Sequence, residues 1–223
     1  EAADLIGKSV IVNPQYAEAF NNLGVTFQKL GCLEKAIIHH RQAIKLQVDY
    51  AEAYFHLALA LQKLGKMDEA VVNYRKALRI NSDYSEAYNN LGIALLNAGQ
   101  FTDAVENFQE AVRTRPDYSE AHNNLGLSLQ RLGQIQDAIS SYRKAIDLRS
   151  GYAEPHYNLG SALQGLGDIT AAICHYRIAI SINPNFSEGY FNLAGAFREA
   201  GNLNDAVSNY QQAIARRPNY PQA

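Results

Sequence analysis

Apolar residues along this chain recur at intervals of three and four, in runs closed by a glycine. Between Ser85 and Tyr118, Ala87, Tyr88, Leu91, Leu95 and Ala98 fall on one helical face. Gly99 interrupts, and Phe101, Ala104, Val105, Phe108, Ala111 and Val112 define a second face of the same kind. The spacing predicts a helix, a tight turn with Gly99 at a positive φ, a second helix and a loop. The whole pattern then returns every 34 residues from Ala17 to Tyr220. Leu23, Leu57, Leu91, Leu125, Leu159 and Leu193 form one column, and Gly31, Gly65, Gly99, Gly133, Gly167 and Gly201 form another.

Such a period means a stack of supersecondary units whose core is a seam between neighbours. Six complete units are predicted over 17–50, 51–84, 85–118, 119–152, 153–186 and 187–220. Residues 1–16 read as the second helix of a truncated unit, and 221–223 as the start of another, in one array over 1–223. Small columns set the expected packing. Gly24, Gly92, Gly126 and Gly160 occupy the eighth place of their units, facing the Ala36 and Ala43 series and an aromatic column from Tyr74 to Tyr210. A second aromatic column, Tyr16, Tyr50, Tyr84, Tyr118, Tyr152, Phe186 and Tyr220, is expected to wedge between units. Asp83 with Glu86, Asp117 with Glu120, Asp49 with Glu52 and Asn185 with Glu188 have capping-box spacing, which assigns the recurrent glutamates to helix starts.

Within one unit, Tyr88, Leu91, Gly92, Leu95, Ala104, Phe108, Ala111 and Pro116 resemble the tetratricopeptide repeat, and the resemblance covers residues 17–220. His40 in the aromatic column, Val48, Ser82 and Ser150 in the proline column, and Ala58 and Ala194 in the glycine column depart from it locally. The resemblance implies an all-α fold, a right-handed superhelical solenoid of antiparallel helix hairpins whose first helices line a concave side. The Asn-Asn-Leu-Gly openings and the Tyr-Arg-Lys-Ala segments are also similar to the repeats preceding O-linked N-acetylglucosamine transferases and related bacterial proteins.

Composition narrows the function. The net charge is −2 with no basic stripe, so no nucleic acid is expected as partner. Arg113, Arg115, Arg131, Arg143, Lys144 and Arg149 are diluted by neighbouring acids. No apolar run is long enough to span a bilayer, so no membrane is expected either. Cys32 and Cys174 lie more than four units apart and cannot pair within the chain; two unpaired cysteines fit a reducing, cytoplasmic setting.

No catalytic group, metal site or cofactor is expected. His122 and His156 stand in the column held elsewhere by Phe20, Tyr54, Tyr88 and Tyr190, which gives them a packing role. His39 with His40, and Cys174 with His175, are sequence neighbours on different helix faces, a poor geometry for a metal.

What remains is a surface. By helical geometry the second, fifth, sixth and ninth places of each unit share the inward face. The sixth reads Asn22, His56, Asn90, Asn124, Asn158 and Asn192, and the fifth includes Asn89 and Asn123. A carboxamide offers a donor and an acceptor, so it grips a peptide backbone without reading side chains. Asn22, Asn89, Asn90, Asn123, Asn124, Asn158 and Asn192 are therefore the candidate peptide-binding residues. The lysine–arginine clamp by which some family members hold a C-terminal carboxylate is missing from the fifth and ninth places.

Three functions follow. The first is a non-catalytic scaffold that binds an extended segment of a protein partner. The second is the substrate-recruiting arm of a glycosyltransferase whose catalytic domain lies outside this chain. The third is a self-assembling scaffold, for which the apolar ends (Leu5, Ile6, Val10 and Val12 on one side, Ala206, Val207, Tyr210, Ala213 and Ile214 on the other) predict end-to-end association.

Overall fold

A computed structural model describes residues 16–217. Among the described residues there are twelve helices and no strand. They alternate between 13 and 14 residues: α1 Ala17–Lys29, α2 Leu33–Leu46, α3 Ala51–Lys63, α4 Met67–Ile80, α5 Ser85–Asn97, α6 Phe101–Thr114, α7 Ser119–Arg131, α8 Ile135–Leu148, α9 Ala153–Gly165, α10 Ile169–Ile182, α11 Ser187–Glu199 and α12 Leu203–Arg216. The fold is all-α, and each 34-residue period yields one antiparallel hairpin. The half-unit expected at the start lies outside the described residues, apart from Tyr16.

The chain packs as two compact units, Glu1–Arg115 and Pro116–Ala223. The first holds the hairpins α1–α2, α3–α4 and α5–α6. The second holds α7–α8, α9–α10 and α11–α12. Inside each unit a second helix also packs on the first helix of the next hairpin, α2 on α3 and α8 on α9, for example. First helices touch their counterparts too, α1 with α3 and α9 with α11.

Each turn between paired helices carries its glycine at positive φ, 76° at Gly99. Any other L-residue would be strained there. Inside the hairpin, Ala104 and Ala111 are fully buried. A Cβ at Gly92 would come within 2.7 Å of the Phe108 ring, so the eighth-place glycine gives the aromatic its room. His40 takes the same seat over Gly24 in the first hairpin.

The helix starts differ from the sequence expectation. The N-cap of α5 is Tyr84, with no side-chain cap, and α3, α7 and α11 likewise start on Tyr50, Tyr118 and Phe186 without one. The capping boxes therefore do not form. At three of the four boxes the glutamate has a competing partner. Glu86 Oε1 accepts from Arg115 at 2.6 Å, Glu120 Oε1 from Arg149 at 2.6 Å and Glu188 Oε1 from Arg217 at 2.9 Å. These pairs tie the start of the third, fourth and sixth hairpins to their own last residues, 29 positions on. They stay half exposed, where water screens them, so their contribution is small. Side-chain caps do occur at two second helices. Asp168 accepts from the Ala171 amide, and Asn202 accepts from the Asp205 amide.

Candidate functional site

The face of the first helices is built from alternating columns, and the structure separates them by depth. The fifth place is packed: Asn21, Asn89 and Asn123 are only 4%, 5% and 5% exposed, and Phe55 is buried with them. The fifth-place aromatics reach the wedge column of the next hairpin, with Phe55 4.8 Å from Tyr84 and Tyr157 4.9 Å from Phe186 between ring centres. The sixth place is open. Asn22 is exposed, and Asn90, Asn124, Asn158 and Asn192 are half exposed.

Two sixth-place carboxamides also bridge hairpins of the second unit. Asn158 Nδ2 donates to Asn123 Oδ1 at 3.0 Å, and Asn192 Nδ2 donates to the Tyr157 hydroxyl at 2.9 Å. Asn90 Nδ2 instead donates to the Glu86 carbonyl one turn back. Of the seven candidates, Asn89 and Asn123 thus belong to the packed layer, while the five sixth-place asparagines stand at the surface.

A second pattern joins the twelfth place of a first helix to the aromatic of its partner helix. Tyr74, Tyr142 and Tyr176 are fully buried, and each hydroxyl donates to a glutamine: Tyr74 to Gln62 at 2.7 Å, Tyr142 to Gln130 at 2.8 Å and Tyr176 to Gln164 at 2.9 Å. Where the aromatic is Phe108, with no hydroxyl, the twelfth place is Leu96. The last hairpin breaks the correspondence, pairing Tyr210 with Arg198, a side chain that cannot accept a hydrogen bond.

The histidines pack, as their column suggests. His156 is 7% exposed, with Nδ1 3.1 Å from His175 Nδ1, so one neutral ring donates to the other. Burial pushes both below the ordinary range, and the neighbouring ring or the Arg143 charge adds to it. His122 Nε2 donates to the Pro116 carbonyl at 3.0 Å. His40 Nδ1 donates to Asn21 Oδ1 at 2.8 Å, while its buried Nε2 has no partner. Burial, together with His56 and His39, pushes His40 down to about 3. Among the described residues no group of three His, Cys, Asp or Glu side chains could hold a metal ion. Cys32 and Cys174 are free thiols, and among the described residues no helix is long and apolar enough to cross a membrane.

Two surface features stand out, the first unmarked in the sequence and the second expected from it. One is a cavity of ≈ 470 Å³ between α9 and α11, lined by Gln164, Asn192, Gly195, Arg198, Glu199 and Tyr210 among others. The other is an apolar edge on α12. Val207 is 56% exposed, whereas the equivalent Ile37 and Ile139 are 7% and 4% exposed beneath the hairpin that follows them. Leu203 and Ile214 are exposed beside it. Ala206 and Ala213, expected to be partly uncovered, are buried by their own hairpin partner, and Leu5, Ile6, Val10 and Val12 lie outside the described residues.

Stacked two-helix repeats of this length, with glycine, alanine and aromatic columns in these places, define a helical-repeat scaffold. Family models described as tetratricopeptide repeat and TPR repeat match residues 89–153 and 157–221, and 29–65 and 63–99, respectively. The chain belongs to the tetratricopeptide repeat family, and as such it is a protein–protein interaction scaffold. By sequence, no characterised protein matches it. Solved structures do. The MamA protein is 27% identical over 78% of this chain and 96% of its own, with a TM-score of 0.67. PilF of Pseudomonas aeruginosa is 21% identical over 92% and 94%, with a TM-score of 0.81. YrrB, a TPR protein with an unusual peptide-binding site, is 21% identical over 82% and 94%, with a TM-score of 0.67.

Proposed function

We propose that this chain binds an extended segment of a partner protein along the first-helix face of each unit, gripping the partner's backbone through Asn22 and Asn90 in the first and through Asn124, Asn158 and Asn192 in the second. The observation that carries this reading is the depth of the sixth place. In hairpin after hairpin a carboxamide stands half exposed beside a packed fifth-place residue. At Asn90 and Asn158 one N–H is committed within the protein, which orients the group. The second N–H and the oxygen remain to pair with a backbone C=O and N–H. The peptide-binding site described for YrrB supports the reading at the level of the fold.

The test starts with a random peptide library displayed on phage and selected against this chain. Replacing Asn90, Asn124 and Asn158 together with Ala weakens binding of the selected peptides by on the order of 1–3 kcal/mol for each asparagine engaged, with helicity by circular dichroism unchanged. Undiminished affinity in the triple variant removes the asparagines from the site.

A second reading, self-association through α12, is favoured by the exposure of Val207 at a place that other hairpins cover. It concerns a different surface and is compatible with the first.

A further inference from the structure

The cavity between α9 and α11 departs from the rest of the array in three ways at once. The ninth place, filled by Val25, Leu59, Ile93 and Leu127 in the earlier hairpins, is Ser161 and then Gly195. The thirteenth place of α9 is Gly165, where a Cβ would meet nothing within 4 Å. These small residues open the space. A Cβ at Gly195 would lie 3.9 Å from the Tyr210 hydroxyl, so that hydroxyl stands at the floor of the opening.

The chemistry of the lining changes in the same place. Each other tyrosine of this column has a glutamine oxygen to accept its proton. Tyr210 has Arg198 instead, and its hydroxyl makes no hydrogen bond to any described residue. The Arg198 guanidinium likewise has neither an ion pair nor a hydrogen bond among the described residues. The cavity thus presents an unused O–H donor and an unused guanidinium, where the other hairpins present a closed Tyr–Gln pair. Glu199, also in the lining, is held by Gln164 Nε2 at 2.7 Å. Asn192 stands beside them, so the cavity continues the sixth-place row.

We infer that this cavity is a side-chain subsite for an acidic residue, Asp or Glu, of the bound segment, with the Tyr210 hydroxyl and the Arg198 guanidinium donating to its carboxylate. The inference rests on the segment-binding reading above and adds specificity to a site that otherwise holds only backbone. A carboxylate supplies what both donors lack: acceptor oxygens and a negative charge. A neutral carboxamide would satisfy the tyrosine and leave the arginine uncompensated. An apolar side chain would desolvate both.

The experiment uses the same displayed library. Peptides selected on the unaltered chain are expected to share an acidic residue at one fixed position. Changing it to the corresponding amide, Glu→Gln or Asp→Asn, should weaken binding about tenfold, the size of one charge-assisted contact. Arg198→Gln restores the closed Tyr–Gln pair, so it should weaken the acidic peptide about tenfold and leave its amide analogue unchanged. Glu199→Gln removes a like charge and should tighten the acidic peptide. Peptides that bind with no fixed acidic position, or whose binding is indifferent to Arg198→Gln, overturn the subsite while the segment-binding reading stands. A library that yields no binder overturns both. Circular dichroism of each variant establishes that the hairpin is folded.

Discussion

At the scale of single residues, the array uses one seat for different side chains, and the occupant decides the local chemistry. Phe108, Tyr74 and His40 fill the same place on their hairpins, all fully buried. The phenylalanine asks for nothing, the tyrosine takes a glutamine and the histidine takes Asn21. His40 carries a liability the others lack, because the folded protein holds its ring neutral, down to about 3, while the unfolded chain protonates it near pH 6.5. Below that value the unfolded state binds the extra proton, so stability falls as the solution becomes acidic. At pH 5 this one residue is expected to cost about 2 kcal/mol relative to pH 7. His40→Phe, which copies the Phe108 arrangement, should remove this residue's share of the slope in urea unfolding followed from pH 7 to pH 5, while the other histidines that burial pushes below the ordinary range keep theirs. A slope equal to that of the parent chain would rule His40 out. The seat itself was legible from the 34-residue column, and so was the packing role of the histidines. The Tyr–Gln link was present in the same columns, with Leu96 facing Phe108 as its control. It emerges only when two columns are compared with each other instead of being read singly.

At the scale of helices, periodicity located the faces but not the ends. Asp83 and Glu86 have the spacing of a capping box, yet α5 starts one residue later than that box requires, at Ser85 behind Tyr84. The wedge aromatic must sit at the N-cap to reach the neighbouring hairpin, and Glu86 is drawn to Arg115. Long-range packing therefore overrode a local signal. The signal that could have revealed it is the thirty-first place, where Arg115, Arg149 and Arg217 alternate with Gln47, Asn81 and Asn183. The functioning caps are on second helices. Asp168→Ala should lower stability by about 1 kcal/mol, since the Ala171 amide loses its acceptor. Asp83→Ala should change it little. Thermal unfolding of the two variants decides between this assignment and the capping-box one, which expects the reverse order.

For the molecule as a whole, the repeat told the fold class and the hairpin count across the described residues, because every unit votes for the same answer. It told less about the binding face, because a column of asparagines looks alike whether it is packed or open. Depth separates Asn89 and Asn123 from Asn90 and Asn158, and depth arises only when neighbouring hairpins close over one place and not the next. The same closing accounts for α12, whose Val207 edge has no following hairpin among the described residues. Concentration-dependent association is expected, and Val207→Lys should abolish it in light scattering. A chain that stays monomeric at every concentration removes the self-association reading.

The buried Tyr–Gln pairs also set a limit at the opposite end of the pH scale. Burial holds the Tyr74, Tyr142 and Tyr176 hydroxyls far above the value of an ordinary phenol. In strong alkali the unfolded chain releases protons that the folded one retains, so stability is lost as pH rises past 10. The chain has no tryptophan, so the near-ultraviolet band belongs to tyrosine, and phenolate absorbance reports on this directly. Exposed phenols colour gradually as base is added. The locked ones change only when their hairpins open, which makes the array its own optical indicator of alkaline unfolding.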